Sequence, residues 1–245
     1  TADGLLDLVR DPVEGLRRGV DTARSAVRVA QPTTRPMSPL LESKSLSVSF
    51  GAITRPLAAF KAAARACDAS LNDVFVTGLC RGLAAWHDAH GLRVGALRMG
   101  MPINARRDGA AAKGANQFLP TRFEVPLAVA DARDHVRAVR ELVRAQRDEP
   151  ALALVEPLAT VVSRLPRVVL TTLFAQVLRG QDFLASNVPG APVPVFFAGA
   201  ELTSMLALGP LGGTALNITL LSHCDTVQIG INHDPVAIRD GERLR

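Results

Sequence analysis

Two segments place polar side chains where the surrounding pattern calls for apolar ones. Ser186-Asn187-Val188-Pro189-Gly190 ends an apolar run in a polar pair and a Pro-Gly turn. Asn217, Thr219 and Ser222 interrupt the otherwise apolar run from Leu216. Polar groups in a buried strand must find hydrogen-bond partners, and the same groups can offer hydrogen bonds to a ligand. On chemistry alone both roles stay open. Histidine, the usual general base, forms no cluster. His87 and His90 read as exposed residues at a helix end, and His135 sits among arginines on a surface helix. His223 falls in a turn, and His233 follows a strand. Cys67, Cys80 and Cys224 form no C-x-x-C pair, and Cys67 and Cys80 read as small buried hydrophobes. No metal site or cofactor is expected. No G-x-S-x-G, H-E-x-x-H, Walker loop or dinucleotide fingerprint is present.

The net charge of +5 rests on arginine and suits anionic partners such as CoA phosphates or lipid headgroups. Nucleic acid is not expected: tyrosine is absent, Trp86 is the one tryptophan, and no basic cluster is interleaved with aromatics. Arg133, Arg137, Arg140, Arg144 and Arg147 fall within a stripe about 80° wide on a helix beginning at Asp131. It reads either as an anion-facing surface or as a solvated face paired with Asp134, Glu141 and Asp148. The longest near-apolar run, Val168 to Leu178, is short of the ~20 residues that span a bilayer. No signal peptide opens the sequence, so a reduced, cytoplasmic chain is expected, at most peripheral on a membrane or lipid droplet.

These residues need elements to position them. Residues 1–39 read as a linker: an amphipathic helix from Leu5 to Val29, then an extended crossover through Pro32, Pro36 and Pro39. Residues 40–245 read as one α/β domain. Its helices begin after Pro56, a proline suited to the first helical position, and at Ser70, with Asp73 completing a capping box. The second helix turns Leu71, Val74, Phe75, Gly78, Leu79, Gly82, Leu83 and Trp86 inward, and its two glycines imply a close neighbour. Further helices are expected from Asp131 to before Pro150 and near 151–163 and 167–179. Strands are expected at 94–103, 118–125, 183–188, 195–198, 201–208, 216–222 and 227–232. Hairpins turn near Gly199 and across His223 to Thr226. The fold class is a mixed, largely antiparallel sheet packed with helices.

The same segments resemble the wax ester synthase/diacylglycerol acyltransferase family of bacteria, within the chloramphenicol-acetyltransferase-like superfamily. Ser70-Leu71-Asn72-Asp73 resembles its helix-opening N-D motif, and Met101 to Arg107 resembles M-P-V-S-x-R. Gly114 to Phe118 resembles G-N-x-F with one inserted residue. Ser186 to Pro192 resembles S-N-V-P-G-P-P, with Ala191 replacing a proline, and Leu216 to Ser222 resembles L-N-V-T-L-L-S. The resemblance runs in register from Leu5 to Asp234.

It implies a two-halved CoA-dependent acyltransferase fold with a tunnel between the halves. It implies fatty acyl transfer from acyl-CoA to diacylglycerol or a long-chain alcohol, with acyl-CoA as substrate and no cofactor. The family's general base lies in H-H-x-x-x-D-G of the N-terminal half. No His-His pair occurs here, and Ala2-Asp3-Gly4 is read as a chance match to the motif's end. The chain is therefore expected to be the C-terminal half, inactive alone, with the N-terminal half as its partner. Asn72, Asp73, Ser186, Asn187, Asn217, Thr219 and Ser222 become substrate or tunnel candidates. Arg106 and Arg107 become CoA-phosphate candidates or a solvated strand end. A non-catalytic acyl-CoA- or lipid-binding module, and a condensing acyltransferase using other thioesters and alcohols, are the alternatives.

Overall fold

A computed structural model describes residues 33, 35–45, 47–104, 118–148 and 180–244. The expected helices at 5–29, 151–163 and 167–179 lie outside the described residues, as do Arg106, Arg107 and residues 114–117. The described chain begins with a 3-10 turn, Pro39–Leu41. Strand β1 (Ser49–Pro56) then leads into helices α1 (Leu57–Ala66) and α2 (Leu71–Ala89). Strands β2 (Ala96–Asn104) and β3 (Phe118–Pro126) precede helix α3 (Ala132–Arg147). The remainder is β4 (Phe183–Pro189), a small hairpin β5 (Phe196–Phe197) and β6 (Ala200–Glu201), then β7 (Leu216–His223) and β8 (Thr226–His233).

Six strands form one sheet in the order β1-β8-β7-β4-β2-β3. The outer pairs β1/β8, β8/β7 and β2/β3 are antiparallel, whereas β4 runs parallel to both β7 and β2. The expected mixed α/β architecture is thus present, with its parallel strands in the middle. Burial on both faces explains why β7 and β8 read so strongly as strands. β1 gave no such signal because it is a half-exposed edge strand. Its last residue, Pro56, caps α1 from outside the helix rather than occupying the first helical position.

The helices cover one face of the sheet. Phe75, Val76, Cys80, Leu83 and Trp86 of α2 pack with Leu97 and Met99 of β2 and with Phe183, Leu216 and Ile229 from the central strands. The capping box at Ser70 is complete: its Oγ accepts from the Asp73 N–H, and Asp73 accepts from the Ser70 N–H at 2.8 Å. The buried face of α2 is rotated from the expected one. Asp73, Thr77, Cys80 and His87 point inward, while Gly78 and Gly82 are exposed with open space beyond them. The glycines mark no close helix contact.

Two histidines are corrected in the same way. His87 is buried, its Nδ1 2.7 Å from the Leu83 carbonyl and its Nε2 2.8 Å from Ser38 Oγ. A carbonyl only accepts, so Nδ1 carries the proton and Nε2 accepts from the serine. Burial holds this imidazole below its ordinary pKa, against the pull of the Leu83 carbonyl and Asp182. His135 is also fully buried: it sits on the inner face of α3 with Val136, Val139 and Val143, its Nε2 2.8 Å from the Pro126 carbonyl. Of the cysteines, Cys80 is buried, and burial pushes its thiol up to about 12, whereas Cys67 is half-exposed.

A candidate acyl cavity on the open face of the sheet

Register decides which polar candidates meet. Leu184 pairs with Asn217, Ser186 with Thr219 and Val188 with Leu221 across the parallel β4/β7 ladder. Leu184, Ser186, Val188, Asn217 and Thr219 line a cavity of about 410 Å³ on the face away from the helices. That volume lies in the range of roughly 300–1,000 Å³ typical of small-molecule pockets. Asn187 and Ser222 belong to the alternate rows, with Phe183 and Ala185 and with Leu216, Ile218 and Leu220; of these only Ala185 lines the cavity. Asp73 is spent on the helix cap. Asn72 lies behind the cavity wall, its Nδ2 3.8 Å from the sulfur of Met101, which does line it.

The roof of this cavity is an extended strap, 204–210, where the sequence suggested a longer strand. It pairs with no strand because side chains of the sheet take its polar groups instead. Asn217 Nδ2 donates to the Pro210 carbonyl at 2.6 Å, and Asn232 Nδ2 donates to the Gly209 carbonyl at 2.5 Å. Ser204 Oγ donates to Gln228 Oε1 at 2.9 Å. Thr219 Oγ1 donates to Asn217 Oδ1 at 3.1 Å, fixing the orientation of that amide. Asn217 therefore holds the roof as well as lining the cavity. Gly230 lets the strap lie so close, since a Cβ there would stand 2.1 Å from the Ala207 carbonyl oxygen.

The Pro-Gly turn after β4 has a similar cause. Gly190 needs space rather than an unusual φ: a Cβ would stand 2.1 Å from the Ser222 carbonyl oxygen. Gly190→Ala is expected to destabilise the domain by about 1–3 kcal/mol, as overpacking does, read as a lower urea midpoint at unchanged m value. An unchanged midpoint would show that the turn relaxes freely.

Asp182 is the residue that the sequence reading overlooked. It is fully buried at the start of β4 and gathers three backbone donors. The N–H of Ser38 lies at 2.9 Å, that of Met37 at 3.2 Å and that of Arg98 at 2.7 Å, while its own N–H donates to the Arg98 carbonyl at 2.8 Å. One carboxylate thus joins the incoming segment to β2 and β4, the strands that floor the cavity. Burial raises its pKa despite those donors and the nearby Arg98 guanidinium. A lone aspartate before an apolar run carries no local signal of such a role.

None of the side chains lining the cavity is ionisable. Its apolar walls suit a hydrocarbon chain, and its few hydroxyl and amide groups suit an ester or amide. It holds no base. Among the described residues no group of three or more His, Cys, Asp or Glu could hold a metal ion, and no helix is long and apolar enough to cross a membrane.

Residues 115–245, more than half of the chain, match the model of the WS/DGAT C-terminal domain. The chain belongs to that family. A protein found in two strains of Mycobacterium tuberculosis, provisionally named a diacylglycerol O-acyltransferase, is 35% identical over 234 residues, covering 96% of this chain and 47% of that protein. A second mycobacterial protein of the same provisional name is 29% identical over 229 residues, 85% of this chain and 48% of its own length. The chain therefore spans about half the length of the curated relatives it matches. In fold it is similar to the wax ester synthase/diacylglycerol acyltransferase of Marinobacter aquaeolei VT8, at TM-score 0.62 and 19% identity over 95% of this chain and 53% of that one. It is also similar to a condensation domain that releases chains from the enacyloxin polyketide synthase, at TM-score 0.55 and 13% identity over 93% of this chain and 44% of that one. These likenesses establish a condensation-type, chloramphenicol-acetyltransferase-like fold for the WS/DGAT domain.

Proposed function

We propose that this WS/DGAT domain is the C-terminal half of an O-acyltransferase that moves a fatty acyl group from acyl-CoA to diacylglycerol or a long-chain alcohol. One observation carries the reading: a cavity with apolar walls, a few uncharged hydrogen-bonding groups and no ionisable side chain. Such a site can hold an acyl chain but cannot take the proton from the attacking hydroxyl. The general base, a histidine, then comes from the preceding half of the intact protein. The acceptor oxygen loses its proton to that base as it attacks the thioester carbonyl, and the CoA thiolate leaves. Ser186, which lines the cavity, is the proposed hydroxyl that orients the acyl group, with Asn217 and Thr219 shaping the wall beside it. Asn187 and Ser222, in the rows facing away from the cavity, act on the substrate only through the turn at Gly190. Arg106 and Arg107 are the proposed contacts for the CoA phosphates. Because the donor is a CoA thioester and the acceptor is nearly insoluble in water, the intact enzyme works on the cytoplasmic side, peripheral to a membrane or lipid-droplet surface.

The test is esterification of diacylglycerol or hexadecanol by radiolabelled palmitoyl-CoA, with the full-length protein and with residues 1–245 alone. Turnover by the full-length protein, with weak palmitoyl-CoA binding and no turnover by the isolated chain, is the expected pair of results. Turnover by residues 1–245 alone would place the base in this half and overturn the reading.

A further inference from the structure

Helices α1 to α3 cover one face of the sheet, and the outer surface of that layer is basic. On α3, Val136, Val139 and Val143 turn inward, so its apolar side is spent on the core. Arg133, Arg137, Arg144 and Arg147 are exposed, and Arg140 is half-exposed. From first to last the row runs about 21 Å at a rise of 1.5 Å per residue. Sequence alone allows it to be an anion-facing surface or a solvated face neutralised by Asp134, Glu141 and Asp148.

The ion pairs decide between the two. Arg137 pairs with Asp134 at 2.7 Å, and Arg140 pairs with Asp68, in the turn between α1 and α2, at 2.9 Å. Among the described residues, Glu141 and Asp148 form no ion pair, nor do Arg133, Arg144 and Arg147. Asp131 is engaged as the helix cap, accepting from the N–H groups of Arg133 and Asp134. Helix stability does not account for the row either. Arg144 and Arg147 suit the C-terminal end of a helix, but Arg133 stands in the first turn, where the helix dipole disfavours a cation.

Shape narrows the partner. The Arg140–Asp68 pair brings the row alongside the end of α1, whose exposed Lys61 and Arg65 carry the same sign. Helix α2, which packs against both, turns Gly78 and Gly82 to solvent with open space beyond them. A shallow basic surface is the wrong shape for a nucleotide such as CoA, which takes a concave site. It also has no stacking platform for nucleic-acid bases, since Phe60, Phe75 and Trp86 of these helices are buried or half-buried. A broad plane of anionic headgroups fits it, because such a plane attracts clustered basic residues without requiring any apolar side chain to insert. We propose that the outer face of α1 and α3, with Arg133, Arg144 and Arg147 at its centre, is the surface by which the protein sits on an anionic phospholipid leaflet. Docking there leaves the cavity, on the opposite face of the sheet, uncovered. The proposal rests on the peripheral acyltransferase reading above and assigns the surface that makes the enzyme peripheral.

Flotation of the full-length protein with vesicles of phosphatidylcholine, or of phosphatidylcholine and phosphatidylglycerol, tests it at physiological salt. Binding to the mixed vesicles is expected to be at least about tenfold tighter, and Arg133→Gln/Arg144→Gln/Arg147→Gln to weaken it at least about tenfold. The corresponding triple lysine variant keeps the charge and is expected to bind like the wild type. Arg35→Gln/Arg55→Gln/Arg239→Gln removes the same charge from exposed positions outside the three helices and is expected to keep most of the binding. No binding, equal binding to both vesicles, equal losses in the two glutamine variants or a loss in the lysine variant would overturn the proposal. So would tighter binding to duplex DNA than to the mixed vesicles at matched phosphate concentration. Esterification of detergent-dispersed substrate is read separately. Absent turnover with vesicle binding intact faults the acyltransferase reading alone, and turnover without vesicle binding faults the docking surface alone.

Discussion

Asp182→Ala is expected to destabilise this domain by about 3–4 kcal/mol. The substitution strands three backbone donors, of Met37, Ser38 and Arg98. Each buried unsatisfied group costs about 1–3 kcal/mol, partly offset because a buried carboxyl no longer has to be desolvated. Asp182→Asn is expected to recover only part of the loss. Its oxygen can accept from one or two of the donors, but its amide hydrogens then face another. Equilibrium urea unfolding of the three proteins checks this, and a loss under 1 kcal/mol for the alanine would show that water replaces the carboxylate.

The pH dependence has a definite sign. Burial raises the Asp182 pKa in the fold. Between the unfolded and folded values the native chain keeps a proton that the unfolded chain has released. Stability from this group is therefore fully present below the ordinary carboxylate pKa and falls as pH rises through the folded value. The gap between wild type and Asp182→Ala is expected to be widest in acid and to narrow across that window.

If the proposed acyl transfer holds, Ser186→Phe in the full-length protein is expected to lower kcat/KM for palmitoyl-CoA at least ~100-fold, about 2.7 kcal/mol of transition-state binding. Ser186 shares its face with Leu184 and Val188, so the added ring enters the 410 Å³ cavity. Short acyl donors, which leave the cavity partly empty, are expected to lose less than tenfold. Asn187→Ala is the contrasting variant. Asn187 points from the other face of β4, so its replacement should leave the acyl-length profile unaltered even where the rate falls. An equal loss for short and long donors at Ser186→Phe would mean that the acyl chain lies elsewhere. Matching unfolding midpoints, measured alongside, exclude a folding defect.

Much of this architecture was legible in the chain because it is written locally. Ser70 and Asp73 form a capping box from residues three apart, and β7 and β8 announce themselves as apolar runs split by one short turn. The hairpins at Ala198-Gly199 and Cys224-Asp225 follow from turn residues and left-handed φ values. The ordered motifs carried the family, which the match over residues 115–245 shows. What sequence could not divide was the polar set. Ser186 and Asn187 are neighbours in the chain, yet a strand's two-residue period sends one to the cavity and the other away. Only the β4/β7 register shows which is which. Asp182, His87 and His135 were misjudged or missed for a related reason. Their partners, Met37, Ser38, Arg98 and Pro126, come from elements brought together by the fold, and burial of a polar group is set by those partners rather than by its neighbours in sequence. The roof over the cavity belongs to the same class. Residues 204–210 carry a strand-like pattern, but Asn217 and Asn232 capture two of their carbonyls across the sheet face, so tertiary hydrogen bonds turned a strand into a strap.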